Sequence, residues 1–113
     1  MHEYSIIQAL FDQIRDTARA RGAVAVHRVT IQIGEIAGVE VELLRTAYDL
    51  FRERTMCEHA PLEVEAVAVR WTCPDGHGDI TRGHALVCSV CARPARLAAG
   101  DEIVLKQLEL EVP

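Results

Sequence analysis

Aromatic side chains are scarce in this sequence, with one Trp, two Tyr and two Phe in 113 residues. Any core must therefore be aliphatic, and there is material for one, since half the chain is hydrophobic. A basic excess is also missing. Lys and Arg number 12 against 17 Asp and Glu, a net charge of -5. A protein that neutralises phosphates is normally basic, so no nucleic-acid partner is expected. No apolar stretch approaches the roughly 20 residues of a membrane-spanning helix, so no membrane partner is expected either. The N-terminus lacks the basic region and apolar run of a secretory signal. The expected compartment is the cytoplasm, where thiols stay reduced and Cys-x-x-Cys turns bind metal rather than form disulfides. No Ser/His/Asp or Cys/His pattern marks a nucleophilic enzyme, and the chain reads as a non-enzyme. There is no internal repeat or low-complexity segment, and the length fits one domain with a small appendage.

What the chain does have is a concentration of soft donors in residues 71–98. Cys73-Pro74-Asp75-Gly76-His77 opens this stretch and Cys88-Ser89-Val90-Cys91 closes it. Two donor-bearing turns joined by a hairpin are what a tetrahedral zinc site requires. The second turn is a plain Cys-x-x-Cys. The first is Cys-x-x-x-His, and Gly76 and Gly78 allow the backbone to wrap the longer imidazole side chain. The ligand set read from this spacing is Cys73, His77, Cys88 and Cys91, with His84 in the hairpin as the alternative fourth donor. Few apolar residues lie between Cys73 and Cys91, so a bound metal would have to hold the segment, and its binding free energy would become folding free energy. Four filled positions leave none for water or substrate, which makes the site structural.

Elsewhere the periodicity is regular. Residues 4–21 carry Ile6, Ile7, Leu10, Phe11, Ile14 and Ala18 on one helical face, with Gly22 as the stop. Residues 26–33 alternate as a strand, Val29, Ile31 and Ile33 opposite Arg28, Thr30 and Gln32. A second amphipathic helix is expected over 39–54, with Leu43, Leu44, Ala47, Tyr48 and Phe51 as its buried stripe. Residues 62–70 and 102–112 read as strands whose phase slips; in the first, a bulge near Ala66 or a strand that leaves the sheet to enter the metal module explains it, and the second slips at Lys106-Gln107. The expected fold is α+β: a small three-stranded sheet covered by two helices, with an inserted zinc-ribbon-like module. The expected domains are 1–70, completed by a strand at 101–113, and the zinc-binding module 71–100.

Met1-His2-Glu3 offers a free α-amine, backbone amides that can be deprotonated and an imidazole, a compact nitrogen set suited to nickel(II) or copper(II). A bulky His2 also hinders removal of Met1. With that start, the helix after it, Val29-Thr30-Ile31-Gln32-Ile33-Gly34-Glu35 and a late zinc hairpin, the chain closely resembles the HypA/HybF family over essentially its whole length. Phe51-Arg52 and Gly100-Asp101-Glu102 extend the likeness. These are nickel-incorporation metallochaperones for [NiFe] hydrogenase maturation, some of which also serve urease. The resemblance implies nickel(II) as transient cargo on the Met1 amine, the His2 backbone and imidazole and the Glu3 amide, with zinc as a structural ion. It implies as partners a HypB-type GTPase, the [NiFe] hydrogenase large subunit precursor and, in some members, urease maturation factors. The family's zinc site usually has two Cys-x-x-Cys turns, and this chain has Gly76 where the second cysteine would stand. Either His77 replaces it or zinc binds more weakly here. Monomer and dimer both stay open.

The remaining candidates read as structural. Cys57 is expected as a small buried hydrophobe and His27 as a half-exposed sheet residue. Glu63, Glu65, Glu109 and Glu111 are expected as a solvated sheet face. Glu35 and Glu40, near the loop after the first strand, are candidate oxygen ligands to nickel. The competing reading of function is a zinc-ribbon interaction or transcription adaptor without nickel transfer.

Overall fold

The computed structural model describes residues 3–81 and 85–113, so Met1, His2 and His84 lie outside the described residues. In chain order the elements are α1 (Glu3–Ala20), β1 (Ala25–Gly34), α2 (Val41–Phe51), β2 (Leu62–Val67), β3 (Arg70–Thr72), β4 (Asp79–Ile80), β5 (Arg96–Ala99) and β6 (Ile103–Glu111). β1 is the centre of the larger sheet, parallel to β2 and antiparallel to β6. The parallel pair needs a crossover, and α2 supplies it.

Helix α1 buries Ile7, Leu10, Ile14 and Ala18, one turn apart along a single face. It ends at Gly22, whose φ of 64° is open to a residue without a Cβ. There the Ala23 N–H reaches back to the Ala18 carbonyl at 2.9 Å and the Gly22 N–H to Arg19 at 3.1 Å, a paired cap on the last turn. The α1 stripe packs with Leu44, Ala47 and Tyr48 of α2 onto Val26, Val29, Ile31 and Ile33 of β1. Both helices thus cover one sheet face. The other face carries Arg28, Gln32, Glu63, Glu65 and Lys106.

Two bulges keep that division despite uneven sequence spacing. The β1–β6 register skips His27 between Val26/Leu110 and Arg28/Glu109, and skips Lys106 between Thr30/Gln107 and Ile31/Leu105. Each extra residue lets apolar side chains three apart, Val26 and Val29 or Leu105 and Leu108, share the core side. The slip expected at Lys106-Gln107 is therefore a bulge at Lys106. The acidic residues of the open face are paired locally. Arg28 pairs with Glu63 and Glu109, Lys106 with Glu65 at 2.7 Å, and the exposed His27 with Glu111 at 2.9 Å, as a solvated face requires.

Two boundaries differ from the sequence expectation. α2 begins at Val41 and stops at Phe51, short of residues 39 and 54. Arg54 takes a left-handed φ of 62°, and the chain turns under the helix instead. This turn is tied to α2 at the buried Ala60 carbonyl, which accepts hydrogen bonds from the Tyr48 hydroxyl and from the Arg52 guanidinium, both at 2.8 Å. The stretch 62–70 is not one strand. β2 ends at Val67, and the chain leaves the sheet to start β3 at Arg70. β3 is the middle strand of a second sheet, between β4 and β5, so the phase change in 62–70 marks departure from the first sheet and not a bulge.

Because Ala60 keeps its Arg52 donor when the Tyr48 hydroxyl is removed, Tyr48→Phe should cost only about 1 kcal/mol in urea unfolding. Removing both donors orphans a buried carbonyl, so Tyr48→Phe with Arg52→Ala should cost more than the sum of the single changes.

Candidate metal centre

Among the described residues of 70–99, only Cys73 and Cys88 are buried. They face each other because the second sheet brings two turns together. In the first turn the Cys73 N–H bonds the Gly78 carbonyl at 3.0 Å and the Gly76 N–H bonds the Cys73 carbonyl at 3.1 Å. Gly76 and Gly78 have φ of 84° and 98°, the left-handed backbone that folds a five-residue Cys-to-His turn back on itself. In the second turn Cys88 N–H bonds Arg93 O and Ala92 N–H bonds Cys88 O, both at 2.8 Å. Ala92 closes that turn at φ 59°, a conformation that strains a side chain with a Cβ. Arg93 and Asp75 join the two turns by an ion pair at 2.8 Å.

The four predicted donors meet. The ligand atoms of Cys73, His77, Cys88 and Cys91 all lie within 4.8 Å of one another. The Cys73 Sγ is 3.4 Å from His77 Nδ1 and 3.6 Å from the Cys91 Sγ, and the Cys88 Sγ is 3.6 Å from His77 Nδ1. Bond lengths of about 2.3 Å to sulfur and 2.0–2.1 Å to nitrogen, at tetrahedral angles, put S···S near ~3.8 Å and S···N near ~3.6 Å. The donor set fits a tetrahedral ion of zinc's size. The imidazole donor is Nδ1.

Backbone N–H groups support the thiolate form, which is the form that binds metal. Asp75 N donates to the Cys73 Sγ at 3.4 Å and Val90 N to the Cys88 Sγ at 3.3 Å. Burial pushes the Cys73 thiol up, but the N–H donors of Asp75 and His77 prevail and hold it below the ordinary thiol range. The Cys91 and Val90 N–H groups do the same for Cys88. Cys91 moves up, because burial and the neighbouring sulfurs outweigh its own N–H donor from Arg93.

Of the proposed nickel ligands only Glu3 is described. It opens α1, and its carboxylate accepts the N–H of Glu40 at 3.4 Å, just before α2. Tyr4 beside it packs on Phe51, ring centroids 5.4 Å apart. Glu35 is engaged with the Val69 N–H at 2.9 Å. Cys57 belongs to the core and not to the donor cluster. Burial pushes its thiol up to about 11, against the opposing pull of the Tyr48 hydroxyl and Arg52.

Three thiols and an imidazole focused on one point, on a small sheet beside an α/β layer, define a metal-binding protein. No helix among the described residues is long and apolar enough to cross a membrane. The family described as "Hydrogenase/urease nickel incorporation, metallochaperone, hypA" matches residues 1–110. Hydrogenase maturation factor HypA of Shewanella baltica strain OS185 is 35% identical, covering 98% of this chain and 97% of its own. The protein of the same name from Aquifex aeolicus is 37% identical, covering 99% of each. The solution structure of the Ni metallochaperone HypA from Helicobacter pylori aligns over 100% of both chains, at 28% identity and a TM-score of 0.79. A second HypA solution structure aligns at 27% identity and 0.82, over 100% of this chain and 98% of that one. The chain belongs to the HypA family of hydrogenase maturation factors, which are metallochaperones and not enzymes.

Two results are expected from the site. Ala92→Gly relieves the left-handed strain and should raise resistance to a chelator by roughly 0.5–1 kcal/mol, read by competition with a chromophoric zinc probe. Cys57 has a raised folded-state pKa, so it favours folding below the unfolded thiol pKa and loses that contribution as pH climbs towards about 11. Stability measured between pH 7 and 10.5 should therefore fall less steeply in Cys57→Ala than in the parent protein.

Proposed function

We propose that this protein carries nickel(II) on its N-terminus and delivers it to the [NiFe] hydrogenase large subunit precursor during maturation. The nickel donors are the Met1 amine, the His2 amide and imidazole, and the Glu3 amide. Zinc, held by Cys73, His77, Cys88 and Cys91, is structural. It cross-links residues 71–100 into a module inserted in the unit formed by 1–70 and 101–113. A HypB-type GTPase acts with the protein, and urease maturation factors are the partners where a urease is served. The site of action is the cytoplasm.

The observation that carries this reading is the match of the nickel-incorporation family across residues 1–110, which includes the Met1-His2-Glu3 start. The chemistry agrees with it. An amine, amides and an imidazole form a donor set for square-planar d8 ions. A site at the end of a chain exchanges its ion readily, as delivery requires. The four-donor cluster serves the other need, since it has no open coordination position and suits an ion that stays.

The test is nickel titration by calorimetry on untagged protein with its native N-terminus. One nickel per chain is expected, with zinc content of one. His2→Ala, or a single glycine placed before Met1, should abolish the nickel heat and leave zinc content unchanged. Undiminished nickel binding in both variants would show that the N-terminus is not the site. Zinc alone, with no nickel uptake by the parent protein, would favour an interaction adaptor instead.

A further inference from the structure

Two connections join the larger sheet to β3–β5, one after Val67 and one before Ile103. Two loose linkers would leave the second sheet free to tumble, but the β1–α2 loop grips both. Gly34 N–H bonds the Glu102 carbonyl, Glu35 N–H bonds the Val67 carbonyl and Ile36 N–H bonds the Gly100 carbonyl, each at 2.8 Å. The backbones touch at this point. A Cβ on Gly34 would stand 2.2 Å from the Gly100 carbonyl carbon and oxygen, and one on Gly100 would stand 2.5 Å from the Val69 Cα. No side chain fits between the loop and the connections.

A side chain adds to the neck. The Glu35 carboxylate accepts the Val69 N–H at 2.9 Å. Val69 lies in the gap between β2 and β3 and belongs to neither sheet, so its N–H has no ladder partner and the carboxylate takes that place. A charged acceptor makes this bond stronger than a neutral one. Beside the neck is a cleft of about 340 Å³ lined by Gln32, Val67, Leu97, Glu102 and Val104 among others.

We propose that Glu35 is a latch: its carboxylate on the Val69 N–H fixes the orientation of residues 70–99 relative to the helix-covered sheet, and its release lets them swing about the backbone bonds of Gly34, Glu35 and Ile36, which stay in place as the pivot. The loop that carries the latch runs on to Glu40, whose N–H is held by the Glu3 carboxylate. The same six residues thus touch the neck at one end and the start of α1 at the other. The latch is a property of the polypeptide and holds whichever ion the N-terminus carries.

The experiment is residual dipolar coupling by NMR on the full-length, zinc-loaded protein, with separate alignment tensors fitted to 5–67 with 103–111 and to 70–99. In the parent protein the two tensors should coincide. In Glu35→Ala the tensor of 70–99 should shrink in magnitude by about half or more, with zinc content and the shifts of the α1 and β1 amides unchanged. Glu35 is exposed, so its loss does not open the core. Glu35→Gln keeps an acceptor oxygen and should restore most of the parent tensor. Coincident tensors in Glu35→Ala would overturn the latch. So would a Gln variant that behaves like Ala, since the proposed bond needs only the oxygen.

Discussion

Residues 70–99 cannot fold on apolar burial. Their strands are two to four residues long, Leu86, Val87 and Val90 point to solvent, and among the described residues the buried side chains are two of the four donors. A sheet this small has no independent stability without a further constraint. The constraint is convergence of Cys73, His77, Cys88 and Cys91 on one point, where a bound ion would replace the missing core. The local devices around it, left-handed Gly76 and Gly78, the N–H···S bonds and the Arg93–Asp75 pair, shape the two turns so that the donors arrive already oriented.

The larger sheet solves a different problem. Its three strands must present one apolar face to α1 and α2 and one polar face to water, although Val26 and Val29, and Leu105 and Leu108, sit at odd spacing. The bulges at His27 and Lys106 absorb the extra residues. On the polar face Arg28 and Lys106 offset part of the charge of Glu63, Glu65 and Glu109, and His27 bonds Glu111. Under α2, the doubly bonded Ala60 carbonyl anchors the turn that returns the chain to β2.

Much of this was legible in the sequence because it depends on side-chain identity at fixed spacing. The α1 stripe, the β1 alternation, the Lys106 slip and the four-donor cluster all follow from which residue types recur where. The Cys-x-x-x-His turn was legible because glycine at 76 and 78 permits one backbone that other residues resist. What was not legible depends on backbone meeting backbone. β3 to β5 are too short for any period to register, so the phase change in 62–70 left a bulge and a departure from the sheet both open. α2 ran long on paper because Arg52 and Arg54 suit a helix end, whereas the Ala60 anchor that bends the chain away is a carbonyl common to every residue. The Gly34–Gly100 contact and the Glu35–Val69 bond join positions more than thirty residues apart, and only glycine at both 34 and 100 hinted at a close approach.

The central claim is that an ion bound by three cysteines and His77 holds one part of the chain while hydrophobic packing holds the other. The most direct test is to strip the ion with a strong chelator and follow every backbone amide by NMR. The account predicts that resonances of 70–99 collapse to random-coil positions and return with one equivalent of zinc, while those of α1, β1, α2 and β6 keep their dispersion. Full dispersion of 70–99 in the stripped protein, or loss of both parts together, would contradict it.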